Sequence, residues 1–426
     1  MLNDNIHYRD GALYCDDIPV TAIAGQTGTP VYLYSLRRAL GNLKRIQQAF
    51  KDLSPHIHYS AKANANLAVL RALISAGAGI DTVSGGEIYR ALRAGAKPET
   101  IVFAGVGKTV DELRYALEQS VGWFNVENVL ECRLINDLVA EIKCPPARVA
   151  LRLNPEVTAN THPYIATGHG GAKFGLTAEA TADLLACQSD YPNIHFEGIH
   201  IHIGSQLHDT EATTWAVQAA LDLIAPYPHI RTVNIGGGLP VAYRPDETVP
   251  SYEDFARRLT PLLKGYDVLL EPGRSIIADA GMLVVTVLYV KQQAGQTFMI
   301  TDGSMAELIR PALYQAQHEI VPVNLPHPQP LSTNGEGLQR QERAVHVVGP
   351  VCETADVLGR DVALPEVQPG DLLAILTAGA YGMAMASNYN ARPRPAEVVV
   401  MEDGRRWAVA RRRETWEELV QLETVS

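Results

Sequence analysis

Between Ile57 and Pro272 the chain alternates short β-rich runs with longer stretches whose apolar residues recur at i, i+3 and i+4. Eight such runs stand out: IHYSAK, GIDTVS, IVFAGV, WFNVEN, VALRLNP, FEGIHIHIG, TVNIGGG and DVLLEPG. The stretches between them, such as LAVLRALISAG, GEIYRALRAG and TVDELRYALEQ, carry the apolar stripe of amphipathic helices. This alternation predicts a parallel sheet. Eight repeats in about 220 residues suit a closed (β/α)8 barrel of the TIM type. An open doubly wound sheet is the alternative, but the phosphate fingerprint that usually follows its first strand is missing.

The flanks read differently. From Met282 onward, LVVTVLYV, TFMITDG, AVHVVGP, DLLAILTAG and EVVVME are rich in β-branched residues and separated by turn residues. They predict a second, mostly antiparallel β domain. The opening ALYCDDIPV and PVYLYS join it, and LRRALGNLKRIQQAF carries the chain into the barrel. The expected division is a barrel over 36–278 and a β domain formed by 1–35 and 279–426. Within the latter, LPHPQPLSTNGEGLQRQER (325–343) is rich in Pro, Gln and Gly and lacks periodicity. An exposed, poorly ordered loop outside any site is expected there.

Composition narrows the functional classes. Apolar residues make up 46% of the 426, enough for a sizeable core. The 36 basic and 47 acidic residues give a formal charge of −11, which argues against nucleic acid as the main partner. An anionic substrate then needs a local cluster of Arg or Lys. The five cysteines are scattered, odd in number and without a CxxC pair, as in a reducing compartment. The start, MLNDNIHYRDG, has neither the basic end nor the apolar stretch of a signal peptide. The run MLVVTVLYV is too short to span a bilayer. A soluble cytoplasmic protein with no membrane partner is expected.

In such a barrel the active site lies at the carboxyl ends of the strands, and the unusual polar residues fall there: Lys62, Asp81, Ser84, Asn154, His200, His202, Ser205, the triplet Gly236–Gly238, Glu271 and Arg274. A lysine pointing into an apolar barrel is costly unless its charge is lost or paired. A covalent link to pyridoxal phosphate gives Lys62 such a use; a strand-end lysine reaching out to solvent is the plainer reading of that residue alone. Loops after the seventh and eighth strands often hold phosphate, and IGGGLP offers unhindered backbone N–H groups through Gly237 and Gly238. Ser205 can add a hydroxyl and Arg274 a two-pronged charged contact. Glu271 suits a pyridine nitrogen that must stay protonated, or else a salt bridge with Arg274. His200 and His202, two apart on a strand, share a face. One of them can stack on a flat cofactor ring, or the pair can bind a metal; no further His follows the seventh or eighth strand to complete a metal set.

Together these motifs resemble the fold-type III pyridoxal-phosphate decarboxylases, and among them the diaminopimelate-decarboxylating branch. The likeness runs over nearly the whole chain, through NIHYRDGALYCDDIPV, YSAKANANLAVL, DTVSGGEIYRAL, GVGKT, THPYIATG, HIHIGSQL, EPGRS, IRPALYQA, VVGPVCETADVLGRD and AYGMAMASNYNARPRPAEV. The resemblance implies that Lys62 binds pyridoxal 5′-phosphate covalently, that His202 stacks on its ring and that Glu271 pairs with its nitrogen. It also implies that Ser205, Gly238, Gly273, Arg274 and Tyr381 hold or surround the phosphate. It further implies a homodimer in which Cys352 and Glu353 complete the partner's site, the cysteine helping to deliver a proton.

For the substrate, the resemblance implies that Arg274, Arg310 and Tyr314 hold a distal carboxylate and Glu353 a distal amino group. The ornithine branch has an aspartate after its cysteine, where this chain has Glu353. Buried polar groups left unpaired can discriminate by roughly 10⁴-fold or more, which favours meso-2,6-diaminopimelate over ornithine. The implied reaction is its decarboxylation at the D-configured centre to L-lysine and CO2, the last step of lysine biosynthesis. Alternatives are an ornithine, lysine or arginine decarboxylase, a metal-dependent barrel hydrolase using His200 and His202, and a non-enzymatic coenzyme carrier. Carriers of that kind lack the β domain with VCET and AYG. The proline-rich stretch after IVPVN is longer than the resemblance leads one to expect, and its deletion should leave activity near normal.

Overall fold

The computed structural model describes residues 1–156, 173–325 and 342–424. THPYIATG and most of the 325–343 stretch lie outside the described residues. The chain divides into two compact units, one of Leu40–Val241 with Thr248–Ile276, the other of Met1–Ala39, Ala242–Glu247 and Ile277–Ser426.

In the first unit eight parallel strands close into a barrel: His56–Ser60, Gly79–Thr82, Ile101–Phe103, Trp123–Val126, Ala147–Leu153, Ile194–Ile201, Thr232–Asn234 and Asp267–Leu270. They are the eight runs read from the sequence. Each pairs with the next, and the eighth closes on the first through Leu269 opposite His56 and Leu270 opposite Ile57. The second, third, fourth and seventh strands are buried at every position. A barrel strand covered by helices outside and packed side chains inside has no wet face. A strand such as IVF therefore reads as an apolar run and not as an alternation, and the polar residues of GIDT and TVN are buried.

Short polar residues cap the helices that follow the first four strands. Asn66 accepts the Ala68 N–H at the start of Leu67–Ser75, and Ser84 accepts that of Glu87 at the start of Gly85–Ala94. Thr109 and Glu112 form a reciprocal capping box before Val110–Glu118, and Asn128 accepts the Glu131 N–H before Val129–Ile142. Close backbone approach demands glycine at particular points. A Cβ on Gly79 would lie 2.4 Å from His58 Cδ2 and 2.5 Å from the Thr100 carbonyl oxygen.

The other unit is built on a nine-stranded sheet. Its long strand Gly281–Gln293 runs antiparallel to Val31–Ser35, to Leu372–Ile375 and, further along, to Gln296–Thr301. Two pairings are parallel, Val31–Ser35 with Ala396–Val400 and Gln296–Thr301 with Arg343–Val348. A small antiparallel sheet of Ile6–Arg9, Ala12–Cys15 and Ile18–Pro19 accompanies it. Leu13, Ile23, Leu33, Met282, Val284, Leu376 and Val398 share one buried core, so the opening segment and the C-terminal part fold as one body.

Candidate active site

The eighth strand delivers Glu271 to the carboxyl end of the barrel. Its buried carboxylate accepts from Asn125 Nδ2 at 3.0 Å and Asn234 Nδ2 at 2.6 Å on Oε1, and Oε2 lies 3.1 Å from His200 Nε2. These partners come from the fourth, seventh and sixth strands. Burial pushes the Glu271 carboxyl up, but the His200 charge and the hydrogen bonds of His200 and Asn234 outweigh it and hold the group well below the usual carboxylate range. Glu271 is therefore a fixed anion. The salt bridge to Arg274 is not made: Arg274 donates from Nε and Nη2 to Ser205 Oγ, each at 3.1 Å.

Lys62 lies just past the first strand, in the single turn Ala61–Ala63, and is exposed. Its charge acts on Asp81 and Glu87, so its surroundings are more acidic than the apolar wall expected from the sequence. Asp81 Oδ2 accepts the Ser60 hydroxyl at 2.5 Å, while Oδ1 is buried without a hydrogen bond. Burial first, and the Glu271 charge second, raise the Asp81 carboxyl well above its ordinary value.

His202 Nδ1 accepts the Gly237 N–H at 3.1 Å, which leaves the ring proton on Nε2. Burial, then the charges of Lys62, Arg152 and His200, hold this imidazole well below its usual range, so it is neutral. The glycine triplet is packed against backbone: a Cβ on Gly237 would lie 2.5 Å from the Glu271 carbonyl oxygen, and one on Gly238 (φ +96°) 2.9 Å from that of Gly204. The amides of Gly238 and Gly273 donate to no group among the described residues. Among the described residues no group of three or more His, Cys, Asp or Glu is arranged to hold a metal ion. No helix among them is long and apolar enough to cross a membrane.

The remaining candidates belong to the β unit. Arg310 opens the short helix Arg310–Tyr314 and is buried. It donates to His318 Nε2 at 3.1 Å, and its guanidinium lies 4.7 Å from the centre of the Tyr243 ring. Arginine can only donate, so His318 accepts on Nε2 and its Nδ1–H donates to the Leu376 carbonyl at 2.9 Å. Tyr314 closes the helix and is half-buried. Cys352 and Glu353 are exposed between Arg343–Val348 and Val357–Leu364. Tyr381 takes a left-handed backbone at φ +58° after Leu372–Ile375.

Sequence reasoning missed Asn125, Asn234, Tyr243 and His318 as members of these clusters. A signal existed for the two asparagines, each the one amide within its strand, WFNV and TVN. None existed for Tyr243 and His318, which meet Arg310 only through the fold.

Residues 37–278 match the family described as pyridoxal-dependent decarboxylase, pyridoxal binding domain. The chain is 40% identical over 425 residues to the diaminopimelate decarboxylase of Aquifex aeolicus, covering 98% of this chain and 97% of that one. It is 41% identical over 432 residues to that of Vibrio cholerae, with 99% of each covered. Among solved structures it is similar to the M. jannaschii diaminopimelate decarboxylase in complex with L-lysine, at a TM-score of 0.90 and 34% identity, over 100% of this chain and 98% of the other. The Helicobacter pylori diaminopimelate decarboxylase complexed with L-lysine gives 0.85 and 36%, over 94% and 98%.

Proposed function

Since the chain belongs to the diaminopimelate decarboxylase branch of the pyridoxal-dependent decarboxylases, we propose that it converts meso-2,6-diaminopimelate to L-lysine and CO2, with pyridoxal 5′-phosphate joined to Lys62. The observation that carries this reading is the buried anion Glu271. A carboxylate offers roughly four acceptor positions; three on Glu271 are taken, which leaves one for a protonated ring nitrogen. The amides of Gly238 and Gly273, with Ser205 and Arg274, make an anion-binding set suited to the phosphate. Gly237 and Tyr381 complete its surroundings.

When bound, the coenzyme supplies an electron sink for the pair left on the α-carbon as CO2 departs. The chain's own residues do the rest. Glu271, a fixed anion, stabilises a proton on the ring nitrogen. Neutral His202, held by the Gly237 amide, presents a flat face for stacking. Cys352 delivers the proton that replaces the lost carboxylate. Arg274, Arg310 and Tyr314 bind the distal carboxylate, with Arg310 held in place by His318 and Tyr243. Glu353 binds the distal ammonium. Cys352 and Glu353 serve the site of the partner subunit, so the working form is a homodimer, and its place is the cytoplasm.

The purified protein should be yellow and release CO2 from meso-diaminopimelate. Borohydride reduction followed by peptide mapping should place the pyridoxyl group on Lys62, and Lys62→Ala should lose both colour and decarboxylation. Faster release from ornithine, lysine or arginine would overturn the substrate. A colourless protein, or a label on another lysine, would overturn the site.

A further inference from the structure

One turn of the β unit grips both members of the Cys352–Glu353 pair. The Tyr389 hydroxyl donates to Glu353 Oε2 at 2.8 Å, and the Cys352 N–H donates to Asn390 Oδ1 at 3.3 Å. The turn is itself pinned. Asn388 Nδ2 donates to the Arg392 carbonyl at 3.0 Å and to Glu414 Oε2 at 2.7 Å, and Glu414 is held in turn by Arg394 and Arg411. Asn390 (φ +56°) and Ala391 (φ +53°) adopt left-handed conformations, which gives the turn a specific shape. On the other side of the pair, the Asp356 carboxylate accepts the N–H groups of Val351 and Met305, each at 2.7 Å. The Glu353 side chain thus projects from a loop held on both sides, and the Tyr389 hydroxyl holds one oxygen of its carboxylate.

We infer that Tyr389 is a positioning residue for substrate selection, orienting the Glu353 carboxylate toward the distal ammonium of diaminopimelate. The inference rests on the assignment of Glu353 made above. Its physical basis is the choice of partner. A Lys or Arg at this place would orient the carboxylate and also cancel the charge that an ammonium needs. A neutral phenol orients it and leaves the charge intact. Oε1 and the second lone pair of Oε2 remain to accept from an ammonium. Ordering the carboxylate before binding removes a cost that would otherwise fall on the complex.

The test compares wild type, Tyr389→Phe and Glu353→Gln on meso-diaminopimelate and on D-2-aminopimelate, which keeps the distal carboxylate and lacks the distal amine. In Tyr389→Phe, KM for diaminopimelate should rise about tenfold with kcat within about twofold, while KM for 2-aminopimelate stays put. The preference between the two substrates narrows, and the visible spectrum of the bound coenzyme is unchanged. Equal losses on both substrates, or none on either, would overturn the role of Tyr389. If Glu353→Gln abolishes the preference and Tyr389→Phe does not, only this inference falls. If Glu353→Gln leaves the preference intact, the assignment of Glu353 falls and takes the inference with it.

Discussion

Glu271 is an acid kept ionised where burial favours the proton, and the amides of Asn125 and Asn234 help to keep it so. Removing one donor from a buried carboxylate should cost about a factor of ten in kcat, because bonds to charged groups are worth roughly 1.5–3 kcal/mol. Asn234→Ala is therefore expected to lower kcat about tenfold. It should also move the acid limb of the pH–rate profile toward neutrality, which stopped-flow spectra and kinetics across pH can check. His58 makes a different prediction. Burial first of all lowers this imidazole from 6.5 to about 4. Its unfolded form binds a proton at a pH where the folded form refuses it, so stability is full above about pH 6.5 and falls as pH drops toward 4. The loss over that window is about 3 kcal/mol at 1.36 kcal/mol per pKa unit. Urea midpoints at pH 7 and pH 4.5 should show it, and His58→Gln should flatten the difference.

At the level of elements, a barrel strand such as Ile101–Phe103 announces itself because an all-buried parallel strand can be written in apolar residues and its turn in a capping residue, here Thr109. The same elements hide their tight places. Gly79→Ala would drive a methyl into His58 and the Thr100 carbonyl, and should destabilise the barrel by about 3 kcal/mol. Gly41→Ala, within helix Leu36–Ala49 and with nothing within 4 Å, should stabilise it by about 0.5–1 kcal/mol. Chemical denaturation of the two variants checks both signs. Nothing in the composition of either stretch distinguishes these glycines. Their difference lies in what the neighbouring strand or loop brings close, which a linear pattern does not carry.

For the whole molecule, the order of elements along the chain was legible. An interrupted β domain with the barrel between its two parts follows from where β-branched runs give way to strand–helix repeats. The polar clusters were legible only in part. Lys62, His202 and Glu271 stand at strand ends, where barrel geometry gives position a meaning. Tyr243, His318 and Tyr389 take their roles from contacts between segments far apart in sequence. The proposed homodimer has a whole-molecule test of its own. Lys62→Ala and Cys352→Ala chains are each expected to be inactive. Mixed and allowed to exchange, they should recover about a quarter of wild-type activity, because half the dimers would then own one intact site of two. No recovery would mean that each chain builds its site alone.

Glu271 is tied to Asn125, His200 and Asn234, so the staves of four separate strands end on one carboxyl group. That makes it a gauge of the barrel's roundness. A change anywhere that ovalises the wall must stretch at least one of these ties and shift the proton affinity of the group. A carbon-13 label on that single carboxyl would register such strain before the barrel came apart, with no ligand needed to read it.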